Sequence, residues 1–154
     1  MVEIEAARFP GEQDVVADIF REYVRGITAD LNFQGYETEF ASLPGKYAAP
    51  EGGVLLARRE GRLIGCAAYR KVVGFTCELK RVYVRSSMRG HGIGRRLVEH
   101  TIDAARAAGY ARMCLDVLPE LLAAQKLYES LGFSDAPPVT FNPVEGTKFL
   151  GLDL

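Results

Sequence analysis

Apolar positions along the chain change their period several times, and each change marks an element. Val2 to Ala7 alternates weakly, as a half-buried strand does. From Gly11 to about Asp30 the apolar residues Val15, Ile19, Tyr23 and Ile27 fall four apart, which predicts a helix with those residues on one face. A short second helix is expected over Tyr36 to Leu43, interrupted by Pro44 and Gly45. Val54 to Arg59 and Leu63 to Lys71 are apolar runs joined by Glu60-Gly61, and this reads as an antiparallel hairpin. Gly74 marks the next turn, and Cys77 to Val84 reads as a fourth strand. Helical spacing returns from Gly92 to Ala108, with Ile93, Leu97, Thr101 and Ala105 in register and Gly109 just past the end. A short strand over Ala111 to Val117 precedes a helix over Pro119 to Leu131, where proline suits the first turn and Gly132 ends the helix. Two last strands fall near Phe133 and over Lys148 to Leu152. The order β-α-α-β-β-β-α-β-α-β-β predicts an α+β fold with a mixed sheet, antiparallel first and then a parallel strand–helix–strand crossover.

Composition narrows the picture. The 154 residues suit one domain, and 48% hydrophobic with 25% charged residues is ordinary for a globular chain. Nineteen Lys and Arg against 20 Asp and Glu leave a net charge of −1, so no global pull on nucleic acid or on an anionic membrane is expected. No apolar run is long enough to span a bilayer, and the acidic start has no apolar block of a signal peptide. Cys66, Cys77 and Cys114 are widely spaced in apolar runs, so buried reduced thiols are expected, as suits a cytoplasmic protein, and neither a zinc site nor a redox pair is.

The chemistry concentrates in Arg85-Ser86-Ser87-Met88-Arg89-Gly90-His91-Gly92-Ile93-Gly94-Arg95-Arg96-Leu97, where a strand ends, a glycine-rich loop follows and a helix begins. Small residues leave backbone N–H groups uncovered at the positive end of the helix dipole, which makes an anion site. Six Lys or Arg lie between Lys80 and Arg96, and no Asp or Glu falls from Leu79 to Val98. A ligand with several phosphates fits this local charge. The phosphate-loop pattern GxxxxGK with Ser or Thr is absent, and GxGxxG fails at its third glycine, where Arg95 stands. A plain glycine-rich turn with a solvated basic helix start is the competing explanation.

Arg89-x-x-Gly92-x-Gly94 after a strand resembles the acetyl-CoA loop of the GNAT superfamily of N-acetyltransferases, and Leu127-Tyr128-Glu129-Ser130-Leu131-Gly132-Phe133 resembles its later LYxxxGF element. The resemblance implies a mixed, mostly antiparallel sheet of about seven strands flanked by four helices, with a splayed parallel strand pair. It implies acetyl-CoA as cosubstrate and no metal. The loop from Arg89 through Gly90, His91, Gly92, Ile93 and Gly94 to Arg95 would hold the pyrophosphate, and main chain from Val82, Tyr83 and Val84 the pantetheine arm. Arg85, Arg95 or Arg96 would be near the adenosine phosphates, or simply solvated. Tyr128 is the candidate general acid for the departing thiolate. Glu78 is the candidate general base, directly or through water, with an ion pair to Lys80 or Arg81 as the alternative. Without a bulge, Glu78, Lys80, Val82 and Val84 would share a face. A base is needed because a lysine-like amine is neutral only about 0.04% of the time at pH 7. The oxyanion donor is expected to be a main-chain N–H near Val82.

One position departs from the pattern. Leu121 stands where many relatives carry an asparagine seven residues before the motif tyrosine. The acceptor, a small-molecule or peptide amine, would meet Tyr23, Phe33, Gln34 and Tyr36 on one side and Phe141, Asn142 and Glu145 on the other. His91 and His100 have no partner pattern, and His100 is expected on an exposed helix turn. A homodimer is a further expectation, since dimers are common in the superfamily. A non-catalytic acyl-CoA-binding regulatory module is the alternative function.

Overall fold

The computed structural model describes residues 1–27 and 35–154. Strand β1 (Val2–Ala6) is followed by helices α1 (Gln13–Arg25) and α2 (Tyr36–Ala41), then by β2 (Gly53–Arg59), β3 (Arg62–Val73) and β4 (Thr76–Val84). Helix α3 (Ile93–Ala107), β5 (Arg112–Val117), α4 (Leu122–Ser130), β6 (Ser134–Asp135) and β7 (Lys148–Asp153) complete the order. The seven strands form one sheet ordered β1-β2-β3-β4-β5-β7-β6. Only β4 and β5 pair in parallel; the other neighbours run antiparallel. This is the mixed sheet that the element order predicts, and the mostly antiparallel seven-stranded one that the resemblance implies.

The helices divide the core in two. Ile93, Leu97, Val98 and Ile102 of α3 and Tyr128 of α4 pack with Leu79, Met113 and Leu115 on one face. Val16, Ile19 and Phe20 of α1 and Phe40 of α2 pack with Leu56, Cys66 and Ala68 on the other. The buried stripe of α1 corrects the predicted face. Val15 is exposed, whereas Val16, Ile19 and Phe20 are fully buried. Four-residue spacing drifts by about 40° at each step of a 3.6-residue helix, so Val15 and Ile27 cannot share a contact. Residues 28–30 of the expected first helix lie outside the described residues, as do Phe33 and Gln34. All three cysteines are free and buried. No helix among the described residues is long and apolar enough to cross a membrane.

Two local features depart from the pattern expected of the sequence. Helix α4 begins at Leu122, not Pro119. Leu118 to Leu121 form a turn closed by the Leu121 N–H on the Leu118 carbonyl (3.1 Å), and Gln125 Nε2 donates to the carbonyls of Leu118 (3.1 Å) and Pro119 (3.4 Å). In β4, Cys66 pairs with Tyr83 but Ala68 pairs with Lys80, so β4 carries one extra residue there. The extra residue makes a β-bulge, and Arg81 within it takes φ 58°.

The C-terminus of α4 explains the Leu-Gly-Phe run. Gly132 adopts φ 100°, its N–H meets the Glu129 carbonyl (3.1 Å), and the Phe133 N–H reaches back to the Tyr128 carbonyl (3.1 Å). This is a Schellman cap with its hydrophobic contact, since the Phe133 and Tyr128 rings meet edge-on at 5.8 Å. Replacing Gly132 by alanine forces a Cβ into the left-handed region, 3.4 Å from Leu152 Cδ1. Gly132→Ala is expected to lower unfolding stability by about 1 kcal/mol, read as a lower urea midpoint at unchanged m-value.

Candidate active site

The parallel pairing of β4 and β5 is short. Thr76, Cys77 and Glu78 pair with Arg112, Met113 and Cys114, and beyond that point the two strands run on unpaired with each other. The gap between them is a cleft of about 60 Å³ lined by Tyr23, Lys80, Arg81, Val82, Asp116, Tyr128 and Asn142, with Leu121 and Ala124 among its apolar walls. The Arg85 N–H donates to the Ile64 carbonyl of β3 (2.8 Å). Alternation along the strand therefore turns the N–H and C=O of Val84 toward the gap. The Val84 carbonyl is met there by Arg89 Nε (2.9 Å), and the Arg89 guanidinium lies 5.8 Å from the centre of the Tyr83 ring.

At the mouth, a single 3₁₀ turn over Ser86–Met88 leads into the exposed loop, where Gly90 (φ 86°) and Gly92 (φ 74°) hold the left-handed conformation glycine allows. The first helical bond of α3 runs from the Arg96 N–H to the Gly92 carbonyl (3.2 Å). The N–H groups of Gly90, His91, Gly92, Ile93, Gly94 and Arg95 meet no backbone carbonyl among the described residues. They border a groove of about 320 Å³ formed with Val84, Met88, Ala123, Ala124 and Leu127. Ala124 lines both spaces, so groove and cleft adjoin along α4. Uncovered amides at a helix N-terminus suit a diphosphate.

The basic side chains of this segment are deployed unevenly. Arg85 is tied to Glu22 Oε2 (3.0 Å) and to the Leu63 carbonyl (2.7 Å), turned back onto the protein. Arg95 donates to Ser130 Oγ (2.9 Å), and Arg96 to the Val2 carbonyl (3.2 Å). His91 and His100 are exposed. The Tyr83 hydroxyl donates to Glu22 Oε2 (2.8 Å), so its side chain serves the α1 face.

Tyr128 forms part of the cleft wall and is 7% exposed. Burial pushes its hydroxyl well above the usual tyrosine range, with Tyr23 and Asp116 adding to the effect. Tyr23, across the same cleft, is pushed up to about 12 by burial, opposed by Arg81.

Glu78 lies elsewhere. It is 1% exposed and stands outside the cleft lining. It accepts from Arg70 Nε (3.2 Å), its cross-strand neighbour on β3, and from Thr140 Oγ1 (2.8 Å). Its ion pair is therefore with Arg70 rather than with Lys80 or Arg81. Arg70 also reaches Glu39 (3.5 Å), and Glu39 accepts from Arg81 Nε (3.3 Å) and Nη2 (3.0 Å). The bulge corrects the expected shared face. Val82 and Val84 pack with Cys77 and Leu79 against α3 and α4, because the extra residue shifts the alternation by one.

Of the acceptor-side residues, Tyr23 and Asn142 line the cleft. Asn142 Nδ2 donates to Asp116 Oδ2 (2.8 Å). Tyr36 packs on Phe40 (5.7 Å between ring centres), while Phe141 and Glu145 are exposed. Lys80, Arg81 and Asp116 were not candidates from the sequence. Their signal was present: ionic residues inside otherwise apolar strands are rarely buried without a task. Among the described residues no cluster of His, Cys, Asp or Glu could hold a metal ion.

The sequence matches the Acetyltransferase (GNAT) family over residues 16–133, and the chain belongs to that family. It is similar to an uncharacterised N-acetyltransferase of Schizosaccharomyces pombe, 36% identical over 155 residues that cover 99% of this chain and 95% of the relative. Among solved structures, an acetyltransferase of Streptococcus agalactiae shares the fold with a TM-score of 0.81 at 20% identity, covering 99% of this chain and 98% of its own. The structure of yncA from Salmonella typhimurium with its cofactor acetyl-CoA aligns with a TM-score of 0.77 at 23% identity, over 99% of this chain and 94% of its own. As a member of that family the protein is an acetyltransferase with acetyl-CoA as cosubstrate. The residues present fit that molecule, with free amides and a groove for a diphosphate, and an adjoining gap between strands for a slender arm.

The Glu78 contacts generate a stability test. Arg70→Met leaves a buried carboxylate with only Thr140 as partner, and is expected to cost about 3 kcal/mol in urea unfolding; Glu78→Gln, which removes the charge itself, is expected to cost distinctly less.

Proposed function

We propose that the protein transfers the acetyl group of acetyl-CoA to a primary amine, which attacks the thioester directly while both substrates are bound. The observation that carries this reading is the cleft itself: β4 and β5 part, Tyr128 forms the wall, and the uncovered amides stand at the mouth. The amides of Gly90 to Arg95 would grip the pyrophosphate. Main-chain groups of Val82 and Val84 on the gap would pair with the pantetheine arm. The Val82 N–H would meet the oxyanion as the carbonyl becomes tetrahedral. The amine would enter from the side covered by α1, α2 and the segment joining β6 to β7, where Tyr23 and Asn142 stand.

Tyr128 is the general acid in this reading. In water a tyrosine of pKa about 10 protonates a thiolate of pKa about 8.5 slightly uphill. Burial changes both partners. Cys77 and Cys114, at the closed head of the same strand pair, have thiols pushed up to about 12. Desolvation in the cleft would raise a released thiolate in the same direction as Tyr128, so the transfer would not become steeper through the rise at Tyr128 alone. The raised value also keeps the phenol protonated throughout neutral pH. Glu78 is the base of this reading, acting through water because Arg70 and Thr140 occupy its oxygens. Three buried, unpaired thiols suit a cytoplasmic setting for the reaction.

Turnover with acetyl-CoA across a panel of amines tests the proposal. Tyr128→Phe is expected to lower kcat by about 10²-fold or more while leaving the acetyl-CoA KM nearly unchanged; an unchanged kcat removes Tyr128 from the mechanism. Glu78→Gln should keep the fold and lower kcat by a comparable order, and full activity in that variant excludes Glu78 as the base. Tight acetyl-CoA binding with no acetylation of any amine would identify a regulatory acyl-CoA module instead.

A further inference from the structure

Lys80 is a buried cation of the cleft with no ion-pair partner among the described residues. It stands on β4 between Leu79 and Arg81, is 8% exposed, and lines the gap. The charged groups around it all have partners. Glu78 is held by Arg70 and Thr140, Arg81 by Glu39, and Asp116 by Asn142. The Lys80 side chain makes no hydrogen bond and no ion pair among the described residues. Burial presses its ammonium below the usual lysine range. Arg81 and Arg70 press the same way, while Glu78 and Asp116 oppose them.

A buried ammonium is expensive unless an anion offsets it. Neither near carboxylate forms an ion pair with it: Glu78 is bound by Arg70, and Asp116, held by the neutral amide of Asn142, offsets its charge only from a distance. The cleft therefore offers a cation awaiting an anion, with a carboxylate, Asp116, on the opposite strand. An acceptor carrying only an amine would add a second positive charge beside Lys80 in a poorly solvated space. An acceptor carrying a carboxylate as well would cancel the charge of Lys80 and leave its nitrogen near Asp116.

We infer that Lys80 binds the carboxylate of the acceptor, so that the amine substrate is an amino acid or a similarly carboxylated small amine. The inference rests on the acetyl-transfer reading, which it deepens by naming the substrate class. Lys80 acts here as a specificity determinant.

The test separates binding from turnover. The full chain, saturated with coenzyme A, is titrated calorimetrically with a panel of α- and ω-amino acids and with the carboxamide of each. At least one carboxylate form is expected to bind tenfold or more tightly than its amide. Lys80→Met should remove that preference while coenzyme A affinity changes less than twofold, and Lys80→Arg, which keeps the cation, should restore part of it. No carboxylate preference in the wild type, or one that survives in Lys80→Met, overturns the inference. So does a drop in acetylation that is equal for carboxylated and uncarboxylated amines, since that would make Lys80 a general participant and not a recognition group. A Lys80-dependent carboxylate preference in a protein that acetylates none of the panel would sustain the inference and defeat the acetyl-transfer reading. Acetylation without carboxylate preference would do the reverse.

Discussion

Arg81 holds a left-handed backbone conformation (φ 58°) that a long branched cation adopts only against steric cost. Its side chain shows what holds it there: two contacts to Glu39 on α2, at 3.0 and 3.3 Å, and a place over the Phe40 ring, 5.3 Å from its centre. The bulge that results bends β4 just beyond the last residue paired with β5. The main chain of Val82 and Val84, which a regular parallel pair would consume, is left facing a gap. The bulge and the α2 carboxylate beside it thus sit where the two strands part, next to the cleft that Val82 and Tyr128 line.

The bulge also sorts side chains between the two faces of the sheet. Up to Lys80 the even positions of β4 carry the ionic residues; after it, Val82 and Val84 join the apolar core under α3 and α4. Charge therefore collects on the α1 and α2 face, where Glu78, Arg70, Glu39 and Arg81 form a linked chain of ion pairs. The opposite face offers helix N-terminal amides and apolar walls. In the proposed reaction a phosphate-bearing thioester and a polar amine would approach one gap from these two differently built sides. A neutral chain would hold a polyanion here in the proposed reaction because the positive field is local, made by main-chain donors and a segment free of acidic residues, and does not depend on net charge.

Tyr128 shows how a short run of residues becomes a positioning device. Gly132 closes the Schellman cap, and Phe133 folds back on the Tyr128 ring. The ring is held at the cleft while its hydroxyl takes no hydrogen-bond partner among the described residues. The tyrosine is thereby fixed by apolar packing, with its ring in the cleft wall.

Element type and order were legible along the chain because period two, period 3.6 and glycine punctuation are local signals. The loop from Arg89 to Gly94 and the Tyr128 to Phe133 run were legible for the same reason, since each acts through backbone conformation and contiguous residues. The partner of Glu78 was not, because Arg70 lies on the neighbouring strand and Thr140 arrives from a segment 62 positions away. Nor was the face of Val82 and Val84, which depends on one extra residue that no periodicity reveals. The shared address of Lys80, Asp116 and Asn142 was decided only when the strands parted and the segment before β7 crossed their ends. Sequence alone determined which backbone could turn, cap a helix and leave its amides uncovered, for those are properties of neighbours in the chain. Tertiary structure decided which charges are paired and which are not, for burial and pairing are set by residues that meet only after folding.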